Sequence, residues 1–351
     1  MAACQCQLEA IIPYAAERNN ILPVCDALRC VKSDAWLPTD FPLQDLLDVS
    51  AKAQTINRML KPIVIGVTRF SVDPLSIIGS SALKDQQDLL KRQLAVYQPE
   101  RLASRWTLFN HFALPSLITA AERHENFFHL LAYSSTLTGP IRENLHALEN
   151  RHRSWLRLVA VEPDESFNDV VRNETRSLLA EKAEGKCGFN FRIDDDDVLN
   201  PDFVDAVAEV WPSCEEGQVL SFDLGQYLQR VTDNEYLVSD VDYPKIAIGL
   251  GVFCNATSQE YVFDLPVHNH IPDTRVVNIR DKAYWVRVLH SHNDSGTRSS
   301  PAQSRIPMEE ASARLVARYG HLNIPKALQC LSIITETSRV QTAPKVLFGI
   351  Q

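Results

Sequence analysis

Long apolar runs are missing from this sequence. The longest, 246–254, is about half of the roughly 20 residues that a membrane-crossing helix needs. The N-terminus has no basic segment leading into an apolar one, and Glu9 interrupts the only candidate, so no secretory signal is expected and a cytoplasmic protein is the default expectation. Cysteine is scarce for a disulfide scaffold, with 8 in 351 residues. Four of these (Cys4, Cys6, Cys25, Cys30) crowd into the first thirty residues. None has the C-x-x-C spacing of a zinc knuckle, so reduced thiols are expected in preference to a metal site there. Basic residues are outnumbered: 35 Lys and Arg against 44 Asp and Glu leave a formal net charge of −9. That excludes a general nucleic-acid binder, which works by displacing counterions with clustered cations. It does not exclude an anionic ligand, because a bound cation inverts the sign of one local site. Repeats and low-complexity segments are also absent.

The composition that remains, 45% hydrophobic and 23% charged, is that of an ordinary globular chain with ample core. Residues 1–60 are irregular, punctuated by Pro13, Pro23, Pro38 and Pro42, with a helix expected over 43–60. Met59 precedes the first strand, so this leader reads as an upstream extension. From 61–68 onward strands and helices alternate. Strands are expected at 61–68, 127–134, 155–161 and 189–193; helices at 86–97, 105–123 (kinked or capped by Pro115), 140–151, 168–184 (stopped by Gly185) and 201–210 (capped by Asn200). Such alternation predicts an α/β fold with a mostly parallel sheet flanked by helices. Beyond 215 the pattern turns β-rich, at 218–223, 227–231, 245–255, 260–264 and 284–290, before a last helix at 308–319 stopped by Gly320. These strands read as antiparallel additions in the C-terminal half. The expected organisation is an extension over 1–60, one domain over 61–335 and a tail over 336–351.

The most informative segment is the acidic run Asp194-Asp195-Asp196-Asp197, which directly follows the apolar strand 189–193 and precedes a Pro-initiated helix. Four adjacent carboxylates repel one another, so gathering them at a buried strand end calls for a compensating cation. Carboxylate oxygens suit Mg²⁺ or Mn²⁺. Along an extended strand residues i and i+2 share a side, which would turn Asp194 and Asp196 toward one metal. Mg²⁺ held by one or two carboxylates completes its shell with water and substrate phosphates, so a phosphorylated ligand is expected. The alternative is a solvated acidic turn. An EF-hand is excluded by the missing glycine. Arg69, Arg105 and Arg192 are candidate diphosphate partners, since a guanidinium grips phosphate bidentately. Trp106, Phe109 and Phe112 stand at helical spacing and read as core.

The arrangement of strand, Asp run, two apolar residues and Pro-x-Phe (Arg192 to Phe203) resembles the metal motif of glycosyltransferases of the GT-A fold. With Val64-Ile-Gly-Val-Thr-Arg69-Phe70-Ser71-Val72, the segment Arg105 to Leu117 and the segment Trp285 to Ser295, it is similar more narrowly to the putative rhamnosyltransferase family, over about 62–300. The resemblance implies a GT-A-like (Rossmann-like) fold and a divalent-metal-dependent transfer of a sugar, an activated deoxyhexose such as rhamnose, from a nucleotide-sugar donor to a glycan, polysaccharide or glycolipid acceptor. It implies Thr68, Arg69 and Phe70 near the nucleotide, with Asp194, Asp195, Arg105 and Arg192 in the nucleotide-sugar site. Asp194, Asp196 and His290 would hold Mn²⁺ or Mg²⁺.

Inverting transfer also needs a base for the acceptor hydroxyl, and imidazole has a suitable pKa. In the segment where many relatives carry an acidic base, this chain reads Asp264-Leu-Pro-Val-His268-Asn-His270-Ile-Pro-Asp273. His270 is favoured, followed by Asp273 and His268. The absence of the familiar Glu-Asp pair leaves the base and the stereochemical course open. Two other readings stand beside this one. A metal-dependent hydrolase would use the pairs His268/His270 and His290/His292 with the aspartates. An inactive transferase-like assembly module would use none of them.

Overall fold

The computed structural model describes residues 61–78, 90, 93–182, 187–232, 234–267, 270–290 and 305–331. Expectations for 1–60, Gly185, His268, His292 and the tail beyond 331 fall outside these residues. The chain divides into two compact units. One is Pro62–Val207 with Glu215 onward; of the other, only Lys61 and Ala208–Cys214 are described. In the smaller unit a 3-10 turn, Trp211–Ser213, follows a helix end, and Ser213 Oγ donates to the Val210 carbonyl at 2.8 Å.

In the larger unit, β1 (Ile63–Phe70) leads through the short α1 (Pro74–Ile78) to α2 (Pro99–Leu108) and α3 (Leu114–Arg123). Then come β2 (Phe127–Ser134), α4 (Pro140–His152), β3 (Leu156–Val161), α5 (Phe167–Lys182), β4 (Gly188–Arg192), β5 (Val198–Leu199) and α6 (Phe203–Val210). The C-terminal half supplies β6 (Val219–Phe222), β7 (Leu224–Arg230), β8 (Glu235–Asp242), β9 (Gly251–Cys254), β10 (Val276–Ile279), β11 (Trp285–Leu289), β12 (Ile306–Pro307) and α7 (Met308–Tyr319).

Seven strands form one sheet in the order β10-β6-β9-β4-β1-β2-β3, all parallel except β9. The expected mostly parallel sheet is therefore present. Five strands form a second sheet, β12-β8-β7-β11-β5, antiparallel except where β7 and β11 pair. The chain passes from the first sheet to the second in three places: β4 to β5, β6 to β7 and β10 to β11. The acidic run is the first of these crossings.

Apolar burial holds the layers together, at about 1.5–3 kcal/mol for each fully buried large side chain. One face of the first sheet (Ile65, Val67, Leu130, Ala132, Val159) packs on Phe167, Val171, Leu178 and Leu179 of α5. The second sheet (Val198, Leu228, Val286, Val288) packs on Ala311, Leu315 and Tyr319 of α7, a stripe at fourfold spacing, and on Leu108 and Phe112. Trp285 can lie flat across β7 only because Gly225 has no side chain: a Cβ there would stand 2.0 Å from the indole.

Several expected boundaries shift for physical reasons. Pro115 does not break the helix at 105–123. A π-helical turn, Phe109–Ala113, precedes it, and the Leu114 amide reaches back to the Phe109 carbonyl, so the missing proline N–H falls at the start of α3. Residues 260–264 form a turn instead of a strand, and 245–255 contributes only Gly251–Cys254. β8 and β10 were not expected. Helix α6 starts at Phe203, after a turn that Asn200 closes by accepting the Asp202 amide at 2.9 Å.

Candidate functional site

The carboxyl ends of β1 and β4, adjacent and parallel, are where ligands sit in sheets of this kind. The acidic run leaves β4 as a turn, with the Asp197 amide donating to the Asp194 carbonyl at 3.3 Å. The extended geometry expected to turn Asp194 and Asp196 to one side is absent. Asp195, Asp196 and Asp197 are buried instead, at 0%, 5% and 3% exposure, and Asp194 stays half-exposed beside Arg192 at 3.7 Å.

Each of two buried carboxylates has a named partner far away in sequence. Arg105, on α2, grips Asp195 with two donors: Nε to Oδ2 at 2.7 Å, and Nη2 to Oδ1. Both residues are buried. They spend their charge on each other and clamp the turn. Asp196 Oδ2 meets His290 Nε2 at 2.7 Å, at the carboxyl end of β11. Two residues expected to share a cation are thus brought together.

The electrostatics follow from crowding. Burial pushes the Asp195 carboxyl up to about 6, with Arg105 opposing it. For Asp196 burial acts the same way, but the His290 bond and the charges of His290 and Arg105 outweigh it and hold the group below the usual range. Asp197 is pushed well up, by burial first and then by Asp196 and Asp194.

Thr68 and Phe70 do not reach a ligand surface. Both are fully buried; Phe70 packs edge-on against Trp106 and Phe109. Thr68 instead positions the acidic turn. Its hydroxyl donates to the Ile193 carbonyl at 2.9 Å, which leaves its oxygen to accept from His129 Nε2 at 3.1 Å. That fixes the imidazole proton on Nε2 and leaves Nδ1 buried without a partner. The ring fits because its neighbour across the strand is Gly66, where a Cβ would lie 2.5 Å from Nδ1. Nothing in the sequence marked His129. A glycine inside a β-branched strand was the available signal for this close approach.

Thr68→Val removes both bonds at constant shape. We expect urea denaturation to show a loss of about 1–3 kcal/mol, and Thr68→Ser to recover most of it.

His129 also sets an acid limit. Burial pushes its imidazole down to about 3, whereas the unfolded group titrates near 6.5. Between those values only the unfolded chain takes up the proton. Stability is intact above about pH 7 and falls as pH drops below about 6.5, by up to about 1.4 kcal/mol per unit. Urea unfolding at about pH 7.5 and about pH 5 should therefore show a loss roughly 2 kcal/mol larger in the wild type than in His129→Gln, which cannot titrate.

Of the expected nucleotide residues, Arg69 and Arg192 are half-buried at the strand ends. Both guanidiniums approach the ring of Phe263, at 5.8 and 5.3 Å. The chain beyond β1 lines a cavity of about 490 Å³ with Asp73, Gln93, Leu94, Tyr97, Gln98 and Pro99. Asp73 anchors it, accepting the Leu75 amide (2.9 Å), Gln93 Nε2 (3.1 Å) and the Tyr97 hydroxyl (3.0 Å). These lining residues carried no sequence signal.

The favoured bases are not brought to this cluster. His270 is exposed, and Asp273 opens the turn into the amino end of β10, whereas the acidic run leaves the carboxyl end of parallel β4. Asp273 is paired with Lys245 at 2.5 Å. Among the described residues no group of three or more His, Cys, Asp or Glu side chains is gathered to hold a metal ion. What is gathered is the pair Asp196 and His290, one hard oxygen donor set and one imidazole. Of the two, the carboxylate suits Mg²⁺ or Mn²⁺, which would need water and phosphate for the rest of its shell, while His290 Nε2 is engaged with Asp196.

No helix among the described residues is long and apolar enough to cross a membrane. No curated protein matches the chain. Among solved structures it is similar to the inositol-1-phosphate CTP transferase from T. maritima, with 10% identity over 78% of this chain and 96% of that one, at a TM-score of 0.23. A likeness that slight carries no weight for fold or function. The match that counts is to a family pattern described as "Putative rhamnosyl transferase", which spans residues 63–303 and so takes in β1, the acidic turn and His290. The chain belongs to that family of transferases.

Proposed function

We propose that residues 61–335 form a GT-A-like glycosyltransferase domain. It moves a sugar, rhamnose by family, from a nucleotide-sugar donor to a glycan, polysaccharide or glycolipid acceptor, with Mn²⁺ or Mg²⁺ as cofactor. The observation that carries this reading is the meeting of Asp196, just past the carboxyl end of β4, with His290, just past β11. An oxygen and an imidazole would hold the cation, which supplies charge stabilisation to the departing diphosphate.

The chain's own residues divide the remaining work. Arg69 and Arg192 take the donor's phosphates, since they lie at the ends of adjacent strands and guanidinium matches phosphate geometry. The cavity at Asp73 and Tyr97 has a volume within the range of small-molecule sites and polar groups suited to a nucleoside. Arg105, Asp195, Thr68 and His129 touch no substrate. They hold the turn rigid, so that Asp196 needs no reorganisation when charge develops.

Thermal-shift screening with nucleoside diphosphates, with and without Mn²⁺, tests this reading. A native-state ligand at 100 times its Kd adds about 2.7 kcal/mol, enough to raise Tm by several degrees. One nucleotide should stand out, and only with metal. If none shifts Tm under any metal condition, the transferase reading fails.

A further inference from the structure

One carboxylate orients the polar groups around the cavity beyond β1. Asp73 is buried, at 3% exposure, and the groups that reach its carboxylate are donors: the Leu75 amide at 2.9 Å, Gln93 Nε2 at 3.1 Å and the Tyr97 hydroxyl at 3.0 Å. A carboxylate accepts and does not donate, so it dictates how each neighbour stands. The Gln93 carboxamide must turn its NH₂ toward Asp73, since its oxygen there would set two acceptors face to face. Nε2 also reaches the second carboxylate oxygen, at 3.3 Å, so the nitrogen is committed.

Tyr97 is committed as well. Its one proton goes to Asp73, and burial, which pushes the phenol above its ordinary value, keeps that proton in place. Its oxygen then accepts from Ser134 Oγ at 2.7 Å and from Thr136 Oγ1 at 3.1 Å. Leu94 and Pro99 add apolar lining, while Gln98 is exposed and its carboxamide can present either end. Among the lining groups, Gln93 Oε1 is therefore the acceptor whose direction is set and to which no described residue donates.

We propose that Gln93 is a specificity-determining residue: its oxygen selects a nucleobase that carries a ring N–H, and Asp73 holds it in that orientation. An acceptor so fixed takes a hydrogen bond from the ring N–H of a lactam or imide base such as guanine or uracil. Against the bare ring nitrogen of cytosine or adenine it meets a lone pair instead, and stays unpaired. A site built around one hydrogen bond rejects the partner that lacks it. The inference rests on the transferase reading for a nucleoside in this cavity, and adds which bases the cavity admits.

The test is calorimetric titration of the full chain in Mn²⁺ with the diphosphates of uridine, guanosine, cytidine and adenosine, and with those of 3-methyluridine and 1-methylguanosine. Wild type should bind the uridine or the guanosine diphosphate at least about tenfold tighter than the cytidine and adenosine ones. Methylation of the ring nitrogen should weaken that tighter ligand by about tenfold. In Gln93→Leu the methylation penalty should shrink to within about twofold, a coupling between side chain and ring atom that a merely loosened cavity does not produce. Asp73→Asn lets the Gln93 carboxamide turn round, so the preference for ring N–H bases should fall to within about threefold. Equal affinity for parent and methylated ligand in the wild type, a penalty unchanged in Gln93→Leu, or a preference left intact in Asp73→Asn would overturn the proposal. Nucleoside diphosphates that bind without regard to the ring N–H sink it and leave the transferase reading standing. If none binds under any metal condition, both fail.

Discussion

Replacing Arg105 by methionine should cost about 3–5 kcal/mol of folding stability, the typical loss when one member of a buried ion pair is removed. The reason is local. Asp195 is fully buried, its two oxygens take the two guanidinium donors, and the nearest charges are other aspartates. Without Arg105 the carboxylate must either remain charged in the interior or take up a proton. A carboxyl whose folded pKa is raised above its unfolded value stabilises the fold below the unfolded pKa, and that stability is lost as pH rises through the folded value. The deficit of Arg105→Met relative to wild type should therefore be largest near pH 7 and shrink toward pH 4. The double variant Arg105→Met/Asp195→Asn should recover part of the loss, because it removes the charge that needed compensation. Urea denaturation of the four proteins in the cycle checks this. A single-variant loss below about 1 kcal/mol would mean that the clamp is no more than a surface contact.

Asp196→Asn should leave the fold in place and remove the chemistry. Asparagine keeps the shape and can still hydrogen-bond His290, but it no longer offers a charged oxygen to a divalent cation. We expect sugar transfer, measured as nucleoside diphosphate released from the identified donor, to fall on the order of 10²–10³-fold in kcat/KM. Because Asp196 is buried and paired with His290, some stability is lost as well, about 1–3 kcal/mol by urea denaturation, so activities are compared well below the variant's own Tm. His290→Gln should act in the same direction, with rates at low Mn²⁺ affected most. Full activity in Asp196→Asn would show that the cation, if one is needed, is held elsewhere.

The fold was legible where apolar runs met clear stops. β2 and α7 fall within a residue of their expected bounds, because Phe127 to Ser134 is almost continuously buried and Gly320 ends the last helix. β8 was missed because Glu235, Ser239, Asp240 and Asp242 interrupt its apolar residues and leave no clear alternation, although Tyr236 and Val238 face the core. The turn at 260–264 was mistaken for a strand because Tyr261 and Val262 are buried through packing and hydrogen bonding, not through pairing in a ladder. For the site, the acidic run announced itself through composition alone. Its partners did not, since Arg105 lies 90 residues before Asp195 and His290 lies 94 after Asp196. Arg105 was singled out for its charge as a candidate phosphate partner, and its pairing with a buried carboxylate could not be read from the sequence. His129 acts through a contact that exists only once strands are paired.

The central claim is that a nucleotide-bearing donor binds at the carboxyl ends of β1 and β4 with the help of a cation at Asp196 and His290. Calorimetric titration of the nucleoside diphosphate selected by thermal shift, in Mn²⁺ and then in chelator, tests it most directly. The account predicts saturable one-site binding in Mn²⁺, weakened at least about tenfold by chelation and equally by Asp196→Asn in Mn²⁺. Binding of the same strength with and without metal, unchanged in Asp196→Asn, would contradict it.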